Sequence, residues 1–300
     1  MENVLITGGT GLIGRHLSNR LKEKGYSVSL LSRKPASYPG IKVYSWDPDS
    51  GVIDPEAISA ADYIIHLAGA GLGDTRWSEK RKKLILDSRI KSAALLITSL
   101  KETGKRPKAF ISASATGYYG SATSELIFTE SGEAGADFTG EVCRRWEEAA
   151  KEAEGLNIRT VIIRTGIVLT SRGGALQRMA LPARFGIGSP IGSGRQYIPW
   201  IHIDDLCSIY IKTIEDSSMS GAYNAVAPEH VNNREFMKAV SAVMKRPFFF
   251  PAIPSFMFRI LYGEMATILL NGSRVSPEKI ISSGYSFDYP DLRSALLSLL

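Results

Sequence analysis

Three glycines near the amino terminus have a spacing that suits phosphate binding. They form the pattern Gly8-x-x-Gly11-x-x-Gly14, between an apolar run at residues 4–6 and a segment with helical periodicity. The first glycine permits a tight turn, the second lets the backbone approach a pyrophosphate, and the third lets the helix pack closely on the strand. A tight turn without a ligand is the alternative. The pattern favours a dinucleotide-binding turn made of Gly8, Thr10, Gly11, Leu12, Ile13 and Gly14.

The residues after the second apolar run indicate which dinucleotide such a turn would bind. A site for NAD places an acidic residue there to bind the ribose 2′-hydroxyl, whereas a site for NADP tends to place arginine there. In this chain the run ends in Ser32-Arg33-Lys34, without a carboxylate. Arginine can bind a 2′-phosphate through two hydrogen bonds, and serine can donate another. A solvated basic turn is the alternative, and the residue types favour NADP as the cofactor.

Apolar runs and helical periodicity alternate along the chain as strand, helix and strand. The first unit has strands at residues 4–6 and 26–31, joined by a helix through Ile13, Leu17 and Leu21. Repeated units of this kind imply a parallel sheet covered by helices. We therefore predict an α/β fold with a Rossmann-type doubly wound parallel sheet and a smaller mixed α/β carboxy-terminal substrate region. Residues 1–170 are expected to form the nucleotide-binding domain, completed by about 200–226, and residues 171–199 and 227–300 the smaller region.

Further ligand contacts are expected where the other strands of the sheet end, because ligands of such sheets bind at the carboxyl ends of the strands. The small residues Leu67, Ala68 and Gly69 follow one predicted strand, and Gly166 to Val168 follow another. Arg89 lies in a predicted helix over residues 77–103, on a face away from an apolar stripe. It could contact a phosphate or be an ordinary surface arginine. His66 is predicted to be a core histidine rather than a catalytic one.

Composition excludes several classes of protein. With 300 residues, 44% hydrophobic and 22% charged, the chain can bury a large core and is neither disordered nor collagen-like. The net charge of +6 suits a phosphate-bearing ligand, but no basic run exceeds Lys80–Lys83, so nucleic-acid binding is not predicted. Cys143 and Cys207 alone make neither a disulfide framework nor a zinc site, so we expect no metal. Because no basic segment precedes the first apolar run, a cytoplasmic location is expected.

The most apolar stretch, Phe248 to Leu270, contains two prolines, Arg259 and Glu264. It therefore falls short of the roughly 20 uninterrupted apolar residues that span a membrane, and no membrane association is predicted. A buried or interface helix pair is the preferred interpretation. Its aromatic residues are expected to pack in the core, the alternative being that they line an apolar pocket or an interface; they are Phe248, Phe249, Phe250, Phe256, Phe258 and Tyr262.

Motifs spread over essentially all 300 residues are typical of one superfamily. They are Thr7 to Gly14, Ser32 to Pro35, Leu67 to Gly69, Arg76-Trp77, Ser88-Arg89, Gly117 to Gly120, Gly192 to Gln196, Pro199 to Asp205 and, in the tail, Pro251, Gly263-Glu264, Pro277 and Tyr285 to Phe287. On these motifs the chain resembles the extended short-chain dehydrogenases/reductases of the NAD-dependent epimerase/dehydratase superfamily. It is most similar to the atypical subgroup called epimerase family proteins, which carries a carboxy-terminal domain of unknown function. The resemblance implies NADP contacts at the glycine turn, Ser32, Arg33, Leu67, Ala68, Arg89 and Gly166–Val168.

The resemblance also implies a catalytic set, of which part is missing here. The superfamily uses a tyrosine that gives or takes a proton, a lysine four residues later, and a serine that binds the substrate oxygen. Ser114 matches the serine if one residue is inserted before Tyr119. The helix that should carry the tyrosine and lysine, at residues 137–146, contains neither. Tyr118 or Tyr119 could supply the phenol, or both could be packed aromatic residues.

The remaining motif lies on the substrate side. The glycine-rich segment at residues 192–197 contains Arg195, which could bind an anionic substrate group or be a surface arginine in a turn. We predict an NADP(H)-binding oxidoreductase or epimerase with a non-standard active site, acting on a small molecule that the sequence does not identify. The alternative is a catalytically inactive NADP(H)-binding sensor or regulatory protein. Either is expected to be a monomer or a homodimer.

Overall fold

A computed structural model describes residues 1–34 and 37–300, so Pro35 of the predicted basic motif lies outside the described residues. The strands are β1 (Asn3–Thr7), β2 (Ser27–Ser32), β3 (Lys42–Asp47), β4 (Val52–Ile53), β5 (Tyr63–His66), β6 (Ala109–Ala115), β7 (Ile127–Phe128), β8 (Thr160–Thr165), β9 (Ile167–Leu169), β10 (Trp200–His202), β11 (Gly221–Ala225) and β12 (Arg274–Val275). The helices are α1 (Leu12–Glu23), α2 (Pro55–Ser59), α3 (Glu79–Thr103), α4 (Phe138–Lys151), α5 (Gly174–Arg184), α6 (Ile203–Glu215), α7 (Asn233–Val243), α8 (Ser255–Tyr262), α9 (Thr267–Leu270), α10 (Glu278–Ser282) and α11 (Leu292–Leu299).

Eight strands form the central sheet, in the order β11-β8-β6-β5-β1-β2-β3-β4. All neighbours are parallel except β3 and β4, which are antiparallel. From β1 the chain adds strands first in one direction and then, from β5 onward, in the other. The direction changes between β1 and β5, and ligands of such sheets bind at the carboxyl ends of the strands at that point. This confirms the predicted Rossmann-type doubly wound parallel sheet.

Each face of the sheet has its own hydrophobic core, because successive strand residues point to opposite faces. Val4 and Ile6 of β1 pack in one core with α1 and α6. Leu5 packs in the other core with α2, α3 and α4. The two layers of helices hold the sheet edge, and therefore the glycine turn that follows β1, in a fixed position.

A third core lies beside the sheet and is built mainly from residues of the carboxy-terminal half. Trp200 of β10 and Phe236 of α7 are fully buried there, together with residues of α5 and α11. A two-stranded pairing of β7 with β12 joins residues 127–128 to residues 274–275. The two halves of the chain are therefore packed together through several contacts rather than through one linker.

The structure corrects the expectation for the apolar stretch at residues 248–270. Instead of a buried helix pair, the segment forms α8, a 3₁₀ turn and α9, and no residue of α8 is buried. Phe249, Phe250, Phe256 and Tyr262 are exposed, so the prediction that they pack in the core is wrong. Pro251 and Pro254 keep the helix from starting before Ser255, and Gly263, with φ +60°, ends it, so α8 is a short helix on the surface. Within the described residues, every helix is too short or too polar to cross a membrane.

We expect Asp205 to be the main polar anchor of the carboxy-terminal tail. Its fully buried carboxylate accepts hydrogen bonds from the Tyr285 hydroxyl (2.7 Å), the Asp288 N–H (2.8 Å) and the Tyr289 N–H (3.1 Å). In Asp205→Asn one acceptor oxygen becomes an NH₂ group that faces a donor. The free energy of unfolding should fall by roughly 2–3 kcal/mol in urea titrations. Asp49→Asn, at an exposed ion pair with Lys91, should change it by less than about 1 kcal/mol. An equal effect of the two substitutions would contradict this role.

Candidate functional site

The turn between β1 and α1 is shaped for close approach by a ligand. Gly8 has φ +67°, in the left-handed region that favours glycine. A Cβ on Gly14 would lie 2.5 Å from the Gly8 oxygen and 2.5 Å from the Gly9 Cα, so the helix packs directly on the turn. Gly11 is the N-cap residue of α1, and it has no side chain to cap the N–H groups of the first turn. These groups are therefore available to an anion.

Thr7, which the sequence analysis did not single out, joins the ends of β1 and β5. Its Oγ1 accepts hydrogen bonds from the N–H groups of Leu67 and Ala68, both at 3.1 Å. With both lone pairs used, the hydroxyl proton is donated to His66 Nδ1 at 2.8 Å. His66 Nε2 then carries the proton and faces Ser92 Oγ at 3.2 Å. Burial lowers the pKa of His66 to about 4, so the ring is neutral and holds the sheet edge together, as predicted for a core histidine.

The register of the sheet places the basic motif beside the glycine turn. Leu31 pairs with Thr7, the last residue of β1, so Ser32 and Arg33 extend past the end of β1 on the same edge. Ser32 Oγ donates to the Lys34 oxygen at 2.8 Å and thereby closes a tight turn. The Arg33 side chain is exposed, and it forms no ion pair within the part of the chain that the structure describes. The motif therefore presents an exposed cation next to the turn.

Arg89 is not on an outer face of α3, as the sequence suggested, but on the buried one. Its side chain is 7% exposed, and Nη1 donates to the oxygens of Ala70 (3.0 Å) and Ile85 (2.9 Å). The guanidinium lies 4.8 Å from the centre of the Trp146 ring. Burial lowers its pKa to about 10, which leaves it charged at neutral pH. Nε has no hydrogen-bond partner among the described residues, so this buried cation has one N–H left to donate to a ligand.

Three further predicted contacts lie near the same edge of the sheet. Gly69 passes directly over Arg89, since a Cβ on it would lie 3.0 Å from Arg89 Cζ. Gly166, after β8, has no room for a side chain because a Cβ would lie 2.5 Å from the Pro199 oxygen. Val168 packs against the same core as Leu12 of α1. The chain thus surrounds the glycine turn with small or apolar residues and two cations, Arg33 and Arg89.

Ser114 is held in a buried ion pair that the sequence analysis missed. Its Oγ donates to Glu147 Oε1 at 2.7 Å. Arg164 donates to both oxygens of the same carboxylate, from Nε at 2.8 Å and from Nη2 at 2.9 Å. All three side chains are at most 3% exposed. Although burial opposes the charged form, the hydrogen bonds to Glu147 raise the pKa of Arg164, so the pair is ionised.

The same arginine fixes the two candidate tyrosines in different ways. Arg164 Nη1 donates to the Tyr119 hydroxyl at 3.0 Å, and that hydroxyl donates to Asn224 Oδ1 at 2.7 Å. Burial raises the pKa of Tyr119 to about 12, so its proton is tightly held. The Tyr118 ring instead lies flat against the guanidinium, 3.4 Å from Cζ to the ring centre. Tyr118 is half-buried, and among the described residues its hydroxyl forms no hydrogen bond. Tyr118 is therefore the uncommitted phenol of the pair.

Among the described residues, the side chains of Arg195 and Cys143 form no hydrogen bond with the side chains of Arg164 and Glu147. Arg195 is exposed in a turn next to α7, and no contact between described residues joins it to the glycine turn or to Ser114. Cys143, on α4 where the family's lysine was expected, is buried, and burial raises the pKa of its thiol to about 11. Within residues 1–34 and 37–300 no cluster of side chains could hold a metal ion.

A charged residue inside an apolar sequence is the signal that could have revealed the ion pair. Arg164 interrupts the run Val161 to Ile163, and Glu147 follows Trp146 on the apolar face of α4. Charges at such positions are rarely buried unless they are paired. Which charge pairs with which depends on the packing of α4 on β8, and spacing along the chain does not reveal it.

Comparison with known proteins places this architecture in a family. Residues 4–226 match the NAD dependent epimerase/dehydratase family, and residues 253–299 match a domain of unknown function, DUF1731. The mouse epimerase family protein SDR39U1 is 38% identical over 296 residues, covering 98% of each chain. The epimerase family protein YfhF of Bacillus subtilis is 34% identical over 300 residues, covering 99% of this chain and 98% of that one. The crystal structure of human SDR39U1 (isoform 2) with NADPH is 34% identical, with a TM-score of 0.87 over 99% of this chain and 98% of that chain.

The neutral state of His66 predicts a pH-dependent contribution to stability. The ordinary pKa of 6.5 applies to the unfolded chain and about 4 to the folded one, so the unfolded chain binds the proton first. The contribution is complete above pH 6.5 and is lost as the pH falls toward 4, by roughly 3 kcal/mol in total. Urea titrations over this range should give a shallower pH dependence for His66→Gln than for the wild type. His230→Gln, at a half-buried ring, should reduce it less. An unchanged slope in His66→Gln would contradict the assignment.

Proposed function

This chain belongs to the NAD dependent epimerase/dehydratase family, and from that premise we propose that it is an NADP(H)-binding oxidoreductase or epimerase with a non-standard active site. The observation that carries the cofactor proposal is the exposed Arg33 just after β2, beside a glycine turn that has no side chains to block a pyrophosphate. The related human protein was crystallised with NADPH. The substrate is a small molecule that the site does not identify.

The residues present fit the cofactor on two independent observations. The first is the closeness of Gly14 to Gly8, which leaves the start of α1 open to phosphate oxygens. The second is the buried Arg89, whose Nε lacks a partner among the described residues. Ser32 and Arg33 would bind the 2′-phosphate. The other proposed contacts are Gly8, Thr10, Gly11, Leu12, Ile13, Gly14, Leu67, Ala68, Gly69, Arg89, Gly166 and Val168.

When bound, NADPH supplies a hydride, and the chain must supply or accept the matching proton. We assign that proton to Tyr118, the candidate hydroxyl without a hydrogen-bond partner among the described residues. Its ring lies over the Arg164 guanidinium, 3.4 Å from Cζ to the ring centre, and this cation–π contact holds the phenol in place. Arg164 remains protonated and so can stabilise charge but cannot transfer a proton. It would take over the electrostatic part of the missing lysine's role.

Ser114 and Tyr119 are proposed as positioning residues rather than as groups that touch the substrate. Ser114 anchors Glu147, and Tyr119 fixes the opposite side of Arg164. Together they determine where the guanidinium lies beneath Tyr118. We also propose that Arg195 binds an anionic group of the substrate and does not contact the cofactor. We also propose the division into a nucleotide-binding unit of residues 1–170 with 200–226 and a substrate unit made of the rest.

A second candidate function has its own supporting observation. The hydroxyls of Ser114 and Tyr119 both donate hydrogen bonds inside a buried network, so neither is free to bind a substrate. An NADP(H)-binding sensor or regulatory protein without a redox step would need the cofactor site, but it would not need a hydroxyl that is free to transfer a proton. Turnover distinguishes the two functions, since the sensor binds NADPH without oxidising it.

Removing the cation at the end of β2 should abolish the preference for NADPH. In calorimetric titrations, Arg33→Ala should weaken NADPH binding about 10- to 100-fold, because a charge-assisted hydrogen bond to phosphate contributes about 1.5–3 kcal/mol. Binding of NADH should be unchanged, since NADH lacks the 2′-phosphate. Arg144→Ala, at an exposed arginine on α4, is the matched control and should alter neither affinity. An unchanged ratio of the two affinities in Arg33→Ala would refute the assignment.

Removing the uncommitted phenol should separate catalysis from cofactor binding. With a panel of aldehydes and ketones, Tyr118→Phe should lower the rate of NADPH oxidation about 10²- to 10⁴-fold, the contribution of a positioned general acid. The affinity for NADPH should be retained. Tyr119→Phe should instead lower the melting temperature, because Arg164 and Asn224 lose their buried partner. Equal turnover by wild type and Tyr118→Phe would exclude this proton donor. Tight binding by the wild type without turnover of any carbonyl would favour the sensor.

A further inference from the structure

The carboxy-terminal region carries an exposed apolar surface that the proposed function does not use. On α8 the residues Phe256, Met257, Ile260 and Leu261 lie at helical spacings i, i+1, i+4 and i+5, and so share one face. Their exposures are 60%, 44%, 68% and 61%. A short helix with a bare apolar face is normally covered by something.

A neighbouring segment extends this face. Ile191 pairs in parallel with Ile253, and Gly192 donates its N–H to the Ile253 oxygen at 2.8 Å. Earlier in the two segments, a Cβ on Gly186 would lie 3.7 Å from Pro247. Residues 185–192 therefore run alongside residues 247–253. This arrangement brings Phe185 and Ile187, 75% and 50% exposed, next to Phe249, 72% exposed. We call these residues, together with the bare face of α8, the apolar platform.

The two segments that form the apolar platform carry only positive charge. The chain contains 30 aspartates and glutamates, yet none occurs in residues 171–199 or 244–263. The second segment contributes Lys245, Arg246 and Arg259, and Arg184 directly precedes Phe185. All four side chains are exposed, and none forms an ion pair within the described residues.

We propose that the apolar platform and its four cations bind the surface of a membrane that contains anionic phospholipids. Exposed phenylalanine, isoleucine and leucine side chains enter the boundary between headgroups and acyl chains, while lysine and arginine bind the phosphates. The two signals together give stable attachment where either alone gives marginal binding. The helix lies on the bilayer and does not cross it, consistent with its eight residues.

The charge distribution favours a lipid surface over a second copy of this chain. In a symmetric dimer the same patch faces itself, so the cations would meet cations with no carboxylate between them. An anionic bilayer instead presents negatively charged phosphates to the four cations, however the platform is rotated on the membrane surface. The proposal rests on residues other than those proposed to bind the cofactor.

Sedimentation with vesicles tests the proposal on the full chain. The wild type should bind vesicles of phosphatidylcholine mixed with phosphatidylglycerol at least about tenfold more tightly than vesicles of phosphatidylcholine alone. Ile260→Ser/Leu261→Ser and, separately, Arg184→Glu/Arg246→Glu should each weaken this binding about tenfold or more. Leu297→Ser, at a leucine of α11 that is also 61% exposed, is the matched control and should bind like the wild type.

A second measurement does not depend on loss of binding. Phe256→Trp places a tryptophan on the platform, and vesicles with brominated acyl chains should quench its fluorescence. Val52→Trp, at an equally exposed position on β4, should not be quenched. Absence of vesicle binding, binding that is indifferent to the platform substitutions, or platform-dependent dimerisation in ultracentrifugation without vesicle binding would each overturn the proposal.

Discussion

A buried ion pair between Arg164 and Glu147 organises the candidate active site. It joins the end of β8 to the middle of α4, with both side chains nearly excluded from water. Removing one partner of such a pair leaves an uncompensated charge and typically costs about 3–5 kcal/mol. Ser114 and Tyr119 are satisfied by this pair, and Tyr118 rests on it. The roles available to the three hydroxyls therefore follow from the pair rather than from their positions in the sequence.

Helix α4 links this pair to the cofactor edge of the sheet. Its adjacent residues Trp146 and Glu147 contact different arginines: the indole ring faces Arg89, and the carboxylate binds Arg164. At the other end of the edge, Thr7 fixes the backbone of residues 67–68, which pass close to the glycine turn. A shift of α4 would thus move both cations together. The same packing that stabilises the sheet sets the distance between the proposed cofactor cation and the proposed proton donor.

Much of the fold could be predicted from the sequence, because the strand and helix signals are local. Continuous apolar runs identified β1 and β2, and the periodicity through Ile13, Leu17 and Leu21 identified α1. Side-chain directions that depend on packing could not be predicted. Arg89 was predicted on the wrong face of α3. Its buried guanidinium donates a hydrogen bond to a carbonyl oxygen of the loop, and helical periodicity in the sequence does not reveal such a contact. The aromatic residues near α8 were misplaced because burial requires a covering element, and hydrophobicity alone does not provide one. The Glu147–Arg164 pairing connects residues that only the folded packing brings together.

The most direct test is a crystal structure of this chain with NADPH bound. The account predicts the 2′-phosphate hydrogen-bonded to Ser32 and Arg33, with a nicotinamide ring whose reactive face opens toward the Tyr118 hydroxyl. The Arg164–Glu147 pair should remain intact beneath that tyrosine. A 2′-phosphate bound away from Arg33, or a nicotinamide out of reach of Tyr118, would contradict the account.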